Sequence, residues 1–337
     1  MSDVIFFSSP IGLGHTTRDI AIVQNLDNIS VKFVSGEASS KLFTEYGFDS
    51  ENTYRPPMFD VKNGNLQNPL RWLLKYYSYY KECKAISLRI IEKEKARLII
   101  SDEDFASLSI AQKKNLKTVL ITDILKTNFV SGFGSLIEKT MNRSMRNIMK
   151  KCNAVIIPEN GLSEENIVRV GPIVRSTSYS REELRKKFSF NKKTIVVSVG
   201  GTSAGQFLIN RVVEVMKKLK IDAELVIVSG PSLKIYNDNL RNLGFVNNLH
   251  EVIYAADLII SLAGKSTIDE SKCYGTPGIF IPIKGHFEQE ENAKKVGCSY
   301  DDLFRLDSLI PIKLNEKRSP MTTNGAQKAA NLIKSLL

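Results

Sequence analysis

The sequence predicts an α/β chain of two successive open domains, each built on a parallel sheet. Three observations carry this. Short runs rich in Val, Ile, Leu and Phe recur along the chain, separated by segments long enough for a crossover helix. A second series of such runs begins after a Gly-Pro break near the middle. The length, 337 residues, exceeds an ordinary single domain and suits two domains of roughly 150–170 residues.

Taken in order, Val4–Ser8 is an apolar strand, broken at Gly12 to His15 before a helical pattern over 18–26. Residues 31–35, 97–101, 118–122 and 154–157 read as further buried strands. Residues 170–174, Val-Gly-Pro-Ile-Val, change the chain's direction, and a helical pattern follows over 180–188. The second series comprises 194–199, 225–229, 258–261 and 278–282. The expected partition is 1–170 for a first domain, 171–324 for a second, and 325–337 for a helix that packs back on the first.

Composition narrows the function classes. The hydrophobic fraction is 42% and the charged fraction 25%, both ordinary for a globular enzyme. The net charge of +11 favours anionic partners such as nucleotides, phosphorylated lipids or an acidic membrane surface. Nucleic acid is not expected, because no zinc finger, basic recognition helix or aromatic single-strand platform is present. Cys83, Cys152, Cys273 and Cys298 form no CxxC pair, and three histidines make no dedicated metal cluster. Buried free thiols in a reducing cytosol are the expectation. With neither a signal-peptide pattern nor about 18 continuous apolar residues, the chain is expected in the cytoplasm, with the inner membrane face open to it.

The second domain carries three polar turns. Residues 198–205, Ser-Val-Gly-Gly-Thr-Ser-Ala-Gly, lie between a β-branched strand and a helical stretch. There Gly201, Thr202, Ser203 and Ala204 can offer amides and hydroxyls to phosphate, and the helix end adds positive potential. The Gly-Lys-Ser/Thr ending of a Walker A loop is missing. In a second turn, Ala263, Gly264, Lys265, Ser266 and Thr267 lead into a helix containing Glu270, whose carboxylate can accept hydroxyl protons or cap the helix. Lys265 either adds charge to the site or faces solvent. A third, after 280–283, brings Glu288 and Gln289 to a helix start, where carboxylate and amide together can read a hydroxyl-rich sugar.

With these turns in view, the chain resembles the nucleotide-sugar glycosyltransferases of the GT-B fold. It is most similar to the family 28 group that contains the peptidoglycan lipid I N-acetylglucosaminyltransferase. The resemblance is strongest at 12–16, 200–205, 263–277 and 282–293. It implies two facing Rossmann-like domains with parallel sheets, a UDP-sugar donor bound mainly by the second, and inverting transfer, with GlcNAc as a candidate sugar. It places Gly201 to Ala204 and Ala263 to Thr267 at the donor phosphates, Glu270 on ribose, and Glu288 or Gln289 on sugar hydroxyls. The backbone at Phe245 and Val246 would read a uracil edge, and Gly12 and Gly14 would let the first turn approach the substrates. The run Gly201-Thr202-Ser203-Ala204-Gly205 departs from the Gly-Gly-Ser-Gln-Gly-Ala of the peptidoglycan enzyme, which weakens assignment to that reaction. An epimerase, a hydrolase or a nonenzymatic nucleotide-sugar-binding protein are the alternatives.

On the acceptor side, His15 sits in the first strand-to-helix turn, where a near-neutral side chain suits proton transfer. Asp102, Glu103 and Asp123 lie near strand ends as alternative bases or as partners that orient the histidine. No Asp-x-Asp pair occupies a donor loop, so no protein-bound metal is expected, although Asp102-Glu103-Asp104 has the residue types for a cation. No cofactor beyond the UDP-sugar substrate is expected. Residues 71–97 hold eight Lys/Arg and three Glu, with Trp72, Tyr76, Tyr77, Tyr79 and Tyr80 interleaved. They form either a surface for a polyprenyl- or other lipid-linked acceptor and a membrane, or an ordinary helix with buried aromatics. Phe129, Phe133, Leu136 and Ile137 are candidates for an apolar wall beside it.

Overall fold

The computed structural model describes every residue except 1, 131, 133, 134, 201, 202 and 231–239, and of Ser203 only the backbone. In chain order the first half forms β1 (Val4–Ser8), α1 (Gly14–Val23), β2 (Val31–Gly36), α2 (Glu37–Glu45), β3 (Asp49–Tyr54), a short hairpin of β4 (Val61–Lys62) and β5 (Asn65–Leu66), and α3 (Pro69–Glu94). There follow β6 (Leu98–Asp102), α4 (Phe105–Lys113), β7 (Lys117–Ile121), α5 (Ser135–Lys151), β8 (Ala154–Ile157) and β9 (Ile167–Arg169). The second half forms α6 (Arg181–Lys187), β10 (Lys193–Ser198), α7 (Gln206–Lys218), β11 (Ala223–Val228), β12 (Arg241–Asn242), α8 (Leu249–Ala255) and β13 (Leu258–Leu262). It ends with α9 (Lys265–Tyr274), β14 (Gly278–Ile281), α10 (Phe287–Lys294), α11 (Leu306–Leu314) and α12 (Gly325–Leu336).

Two compact units result. The first comprises Met1–Met58, Asn68–Val174 and Thr323–Leu337; the second comprises Phe59–Gln67 and Arg175–Thr322. The hairpin thus packs with the second unit although its sequence lies inside the first, which a contiguous boundary near residue 170 does not anticipate.

The first sheet runs β3-β2-β1-β6-β7-β8-β9 with every pairing parallel. Its central strands are buried on both faces, so their side chains alternate between two cores. Val4 and Phe6 enter one core with Ile20 and Ile22 of α1 and with Ala329, Ala330 and Ile333 of α12. Ile5 and Phe7 enter the other with Tyr79, Cys83 and Ile90 of α3. The second sheet runs β12-β11-β10-β13-β14, again all parallel, with Ile195 and Val197 on one face and Val196 on the other.

Each strand order reverses once, between β1 and β6 in the first unit and between β10 and β13 in the second. Ligands of open α/β sheets bind beyond the carboxyl ends of the strands at such switch points. Of the turns singled out from the sequence, those after β1, β10 and β13 flank these switch points, and the third turn of the second domain follows the edge strand β14.

Candidate active site

At the first switch point α1 begins at Gly14, one residue before His15 and four before the helical stretch expected at 18–26. Gly12 in the preceding turn has φ +83°, a backbone state that favours glycine. Asp102 ends β6 beside β1, paired with Ser8. Its carboxylate lies 2.9 Å from His15 Nδ1. Arg18, one turn further along α1, donates from Nε to the other Asp102 oxygen at 2.8 Å and from Nη2 to the oxygen facing His15. Asp102 is fully buried and Arg18 nearly so, which makes this a desolvated, bidentate ion pair. With the carboxylate accepting a hydrogen bond from Nδ1–H, the neutral imidazole presents Nε2 as its basic nitrogen, and Arg18 Nη2 lies 3.2 Å from the same Nδ1.

The other acidic candidates take distinct places. Glu103 adopts φ +59°, and its carboxylate comes within 3.8 Å of His15 Nε2 while accepting from Thr122 Oγ1 at 3.0 Å. Asp123 faces Arg18 at 3.7 Å rather than the imidazole. Asp104 caps α4 by accepting from the Ala106 and Ser107 amides, and it takes the Tyr54 hydroxyl proton at 2.7 Å. Asp102-Glu103-Asp104 is therefore no ligand triplet. One group among the described residues, His15, Asp102 and Glu103, brings possible ligand atoms within 4.8 Å of one another. Arg18 already occupies both Asp102 oxygens, so a cation would have to displace a buried, permanently charged guanidinium.

Burial lowers the His15 pKa, but the charge and hydrogen bond of Asp102, helped by Glu103, more than reverse this and raise it to about 9. Asp102 is pushed up by burial yet held well below the usual carboxylate range by Arg18 and His15. Asp19, fully buried, has its pKa driven up by burial and then by the Asp102 charge. Burial depresses the other two histidines, His250 to about 3 and His286 to about 4. Of the three histidines, only His15 gains a proton on folding at neutral pH. Its contribution to stability is complete below its unfolded pKa near 6.5 and is lost as pH rises through about 9. We expect urea-unfolding free energy to fall across that window by at most about 1.4 kcal/mol per pH unit. A His15→Ala variant should lack this slope; an equal slope in both proteins would refute the assignment.

In the second unit, four loops leave the carboxyl edge of one parallel sheet. Two residues of the first glycine turn, Gly201 and Thr202, lie outside the described residues. Gly200, with φ +74°, and the single turn of 3-10 helix from Ser203 through Ala204 to Gly205 frame them. Gly205 lies so close to Val199 and Leu262 that a Cβ would clash, which packs this turn against the end of β13. Gly264 is the N-cap of α9 with no side-chain cap, and a Cβ built on it would meet open space. The first-turn amides of Lys265, Ser266 and Thr267 form a helix end suited to an anion. Lys265 is largely buried and pairs with Asp269, so it is not a solvent-facing lysine.

Glu270 is 3% exposed and accepts from Arg175 Nε and Nη2 at 3.2 and 3.1 Å. It does not cap α9. Arg175, itself 2% exposed, also donates from Nη1 to the Asn247 carbonyl at 2.7 Å. It therefore joins the Glu270 carboxylate to the loop that holds Phe245 and Val246, both half-buried after β12. Glu288 and Gln289 open α10, where the Gln289 carbonyl accepts from the Ile283 amide at 3.0 Å. Asn292 donates to the Ala263 carbonyl at 3.4 Å and ties α10 to the turn after β13. Sequence reasoning assigned no role to Arg18 or Arg175.

The aromatic-basic stretch forms the single helix α3. Trp72 and Tyr79 are buried, and Lys81 and Lys84 lie over the Tyr77 and Tyr80 rings. Trp72 packs on Phe129, whereas Leu136 and Ile137 are exposed; Phe133 lies outside the described residues. Among the described residues, no helix is long and apolar enough to cross a membrane.

Residues 194–335 match the model of the glycosyltransferase family 28 C-terminal domain. An uncharacterized glycosyltransferase of Methanopyrus kandleri is 28% identical over 223 residues, which cover 62% of this chain and 63% of that protein. The UDP-N-acetylglucosamine–N-acetylmuramyl-(pentapeptide) pyrophosphoryl-undecaprenol N-acetylglucosamine transferase of Thermosipho africanus is 23% identical over 96% of this chain and 95% of its own. The solved glycotransferase of kitacinnamycin superposes with a TM-score of 0.69 over 99% of this chain and 98% of its own, at 14% identity. The chain has the GT-B architecture of two Rossmann-like domains and is related to the family 28 glycosyltransferases.

Proposed function

We propose that the protein is an inverting glycosyltransferase that moves a sugar, with GlcNAc the first candidate, from UDP to a lipid-linked acceptor. The observation that carries this reading is the His15–Asp102 pair, a half-buried base oriented by a buried carboxylate at the switch point of the first sheet. In the proposed step an acceptor hydroxyl gives its proton to His15 Nε2, and its oxygen bonds to the anomeric carbon. The bond from that carbon to the diphosphate breaks, and UDP leaves with the electron pair. The N-terminus of α9 and the amides after Gly264 meet the charge that develops on the diphosphate. The backbone at Phe245 and Val246 reads the uracil, Glu270 takes the ribose hydroxyls, and Glu288 with the amide end of Gln289 takes the sugar.

The name of the Thermosipho relative supports UDP-GlcNAc and a polyprenyl-linked acceptor as the first pair to test. The exposed Leu70, Leu74, Tyr77, Leu136 and Ile137 support contact with a lipid or a membrane face on the cytoplasmic side. A panel of nucleotide sugars, followed by nucleotide release and labelled-product formation with and without membrane lipid extract, tests the reading. UDP release that requires lipid extract and yields a labelled lipid is the expected result. Nucleotide release without an acceptor product would indicate a hydrolase. Donor binding with no turnover across the panel would indicate a binding protein.

A further inference from the structure

The β4–β5 hairpin, inserted between two stretches of the first unit, packs with the second. Asn63 and Gly64 form its two-residue turn, with φ +50° and +77°, both in the left-handed region that a tight I′ hairpin requires. Gly64 is buried, and a Cβ there would come within 2.8 Å of the Phe207 ring in the first turn of α7, just after the first glycine turn. On its other side the hairpin joins the loop between β14 and α10. The Leu66 amide donates to the Lys284 carbonyl at 2.9 Å, and the Lys284 amide donates to the Gly64 carbonyl at 2.8 Å. These two bonds make a parallel bridge between Asn65 and Lys284.

Side chains reinforce the bridge. Val61 and Leu66 pack against the core of the second unit. Phe59 meets the buried His286 edge-on at 4.9 Å. Tyr300 donates its hydroxyl to the Asn63 carbonyl at 3.0 Å. The loop held in this way is the one that delivers Glu288 and Gln289. From its far side, the Gln289 carbonyl takes the Ile283 amide and Glu290 takes the Gly285 amide.

From this double grip we propose that the hairpin is a positioning strap for the sugar-reading loop, and hence a determinant of donor-sugar recognition. The proposal rests on the donor reading above and adds to it that residues outside the sugar's direct contacts set its binding. Two short strands cannot be stable alone, so the strap is ordered by the surfaces it grips. The hairpin contacts described above fall on Phe207, the 284–286 loop and Tyr300, and not on the 244–248 loop or Glu270. Loosening the strap is therefore expected to weaken sugar recognition more than base and ribose recognition.

The test uses the full chain with Gly64→Val, which drives a branched side chain into Phe207. Tyr300→Phe, which removes the hydroxyl that donates to the Asn63 carbonyl and accepts from Asn65 Nδ2, serves as a milder variant should Gly64→Val not fold. Lys62→Ala, at an exposed hairpin position, is the control. Calorimetric titration with UDP and with UDP-GlcNAc is paired with hydrogen exchange of residues 283–289. For Gly64→Val we expect UDP-GlcNAc to bind about tenfold more weakly, UDP to bind within about twofold of the parent, and the 283–289 amides to exchange faster. For Tyr300→Phe the same pattern is expected at smaller amplitude. Equal losses for both ligands, or unchanged exchange in the loop, would overturn the strap. Should the parent bind neither ligand, the donor reading falls, and the exchange arm still decides whether the hairpin holds the loop.

Discussion

Replacing His15 with alanine is expected to lower kcat for sugar transfer by about 10²–10⁴-fold, the range for loss of a positioned general base. UDP-sugar affinity should stay within about twofold, because every residue proposed to hold the donor diphosphate lies in the second unit. The pH profile separates a catalytic loss from a structural one. With the imidazole held near 9, kcat/KM of the parent should climb with unit slope as pH rises toward 9, because only the neutral form accepts a proton. In Asp102→Asn the charge that supports the imidazolium is gone, while burial and Arg18 still oppose it. Its His15 pKa should drop below the ordinary 6.5, giving a profile that is flat above neutrality at a lower plateau. Unchanged turnover in His15→Ala would remove this residue as the base. A parent profile with no rise between pH 7 and 9 would remove the proposed protonation state.

How much of this was legible in the sequence depends on which force fixes each part. The central strands β1, β2, β6, β7, β8, β10 and β13 are buried on both faces, so hydrophobicity alone marks them as continuous apolar runs. The edge strand β3, Asp49–Tyr54, is mostly polar and half-exposed; it is a strand only because β2 pairs with it. The hairpin strands are too short to show alternation. The Asn63-Gly64 pair between them is nevertheless a local hairpin signal. What no local pattern could supply was its attachment to the other unit, which depends on Phe207, Lys284 and Tyr300 far along the chain.

The site divides in the same way. His15 was legible from its turn, and Asp102 from its position at a strand end, because both follow from local β/α geometry. Their distance, and the guanidinium of Arg18 across the same carboxylate, are tertiary facts. Arg175 was hidden more deeply. It directly follows the apolar 170–174 run, where an arginine reads as a solvated residue, yet in the fold it is among the most buried side chains. Lys265 likewise looked like a surface or phosphate lysine until its burial with Asp269 appeared.

Arg175 carries the largest expected effect on stability. Arg175→Ala leaves the Glu270 carboxylate 3% exposed beside an empty guanidinium site, and strips the Asn247 carbonyl of its donor. Breaking a buried ion pair from one side costs about 3–5 kcal/mol, because the remaining charge has neither water nor partner. Glu270 cannot escape that cost fully by protonating. Burial already pushes its pKa up, with Arg175 opposing, so removal of the arginine raises it further and offsets only part of the cost in a site shaped for a charged group. The double variant Arg175→Leu with Glu270→Leu should recover a large part of the loss, since two apolar groups need no counter-charge. Hydrogen exchange of the β13 amides reads these changes in the second unit directly. The cycle also bears on function. The double variant should stay folded yet lose UDP binding, because the ribose acceptor and the brace of the base-reading loop disappear together. Full UDP affinity in that protein would show the pair to be purely structural, and a loss below about 1 kcal/mol in Arg175→Ala would show that the pair is not desolvated in solution.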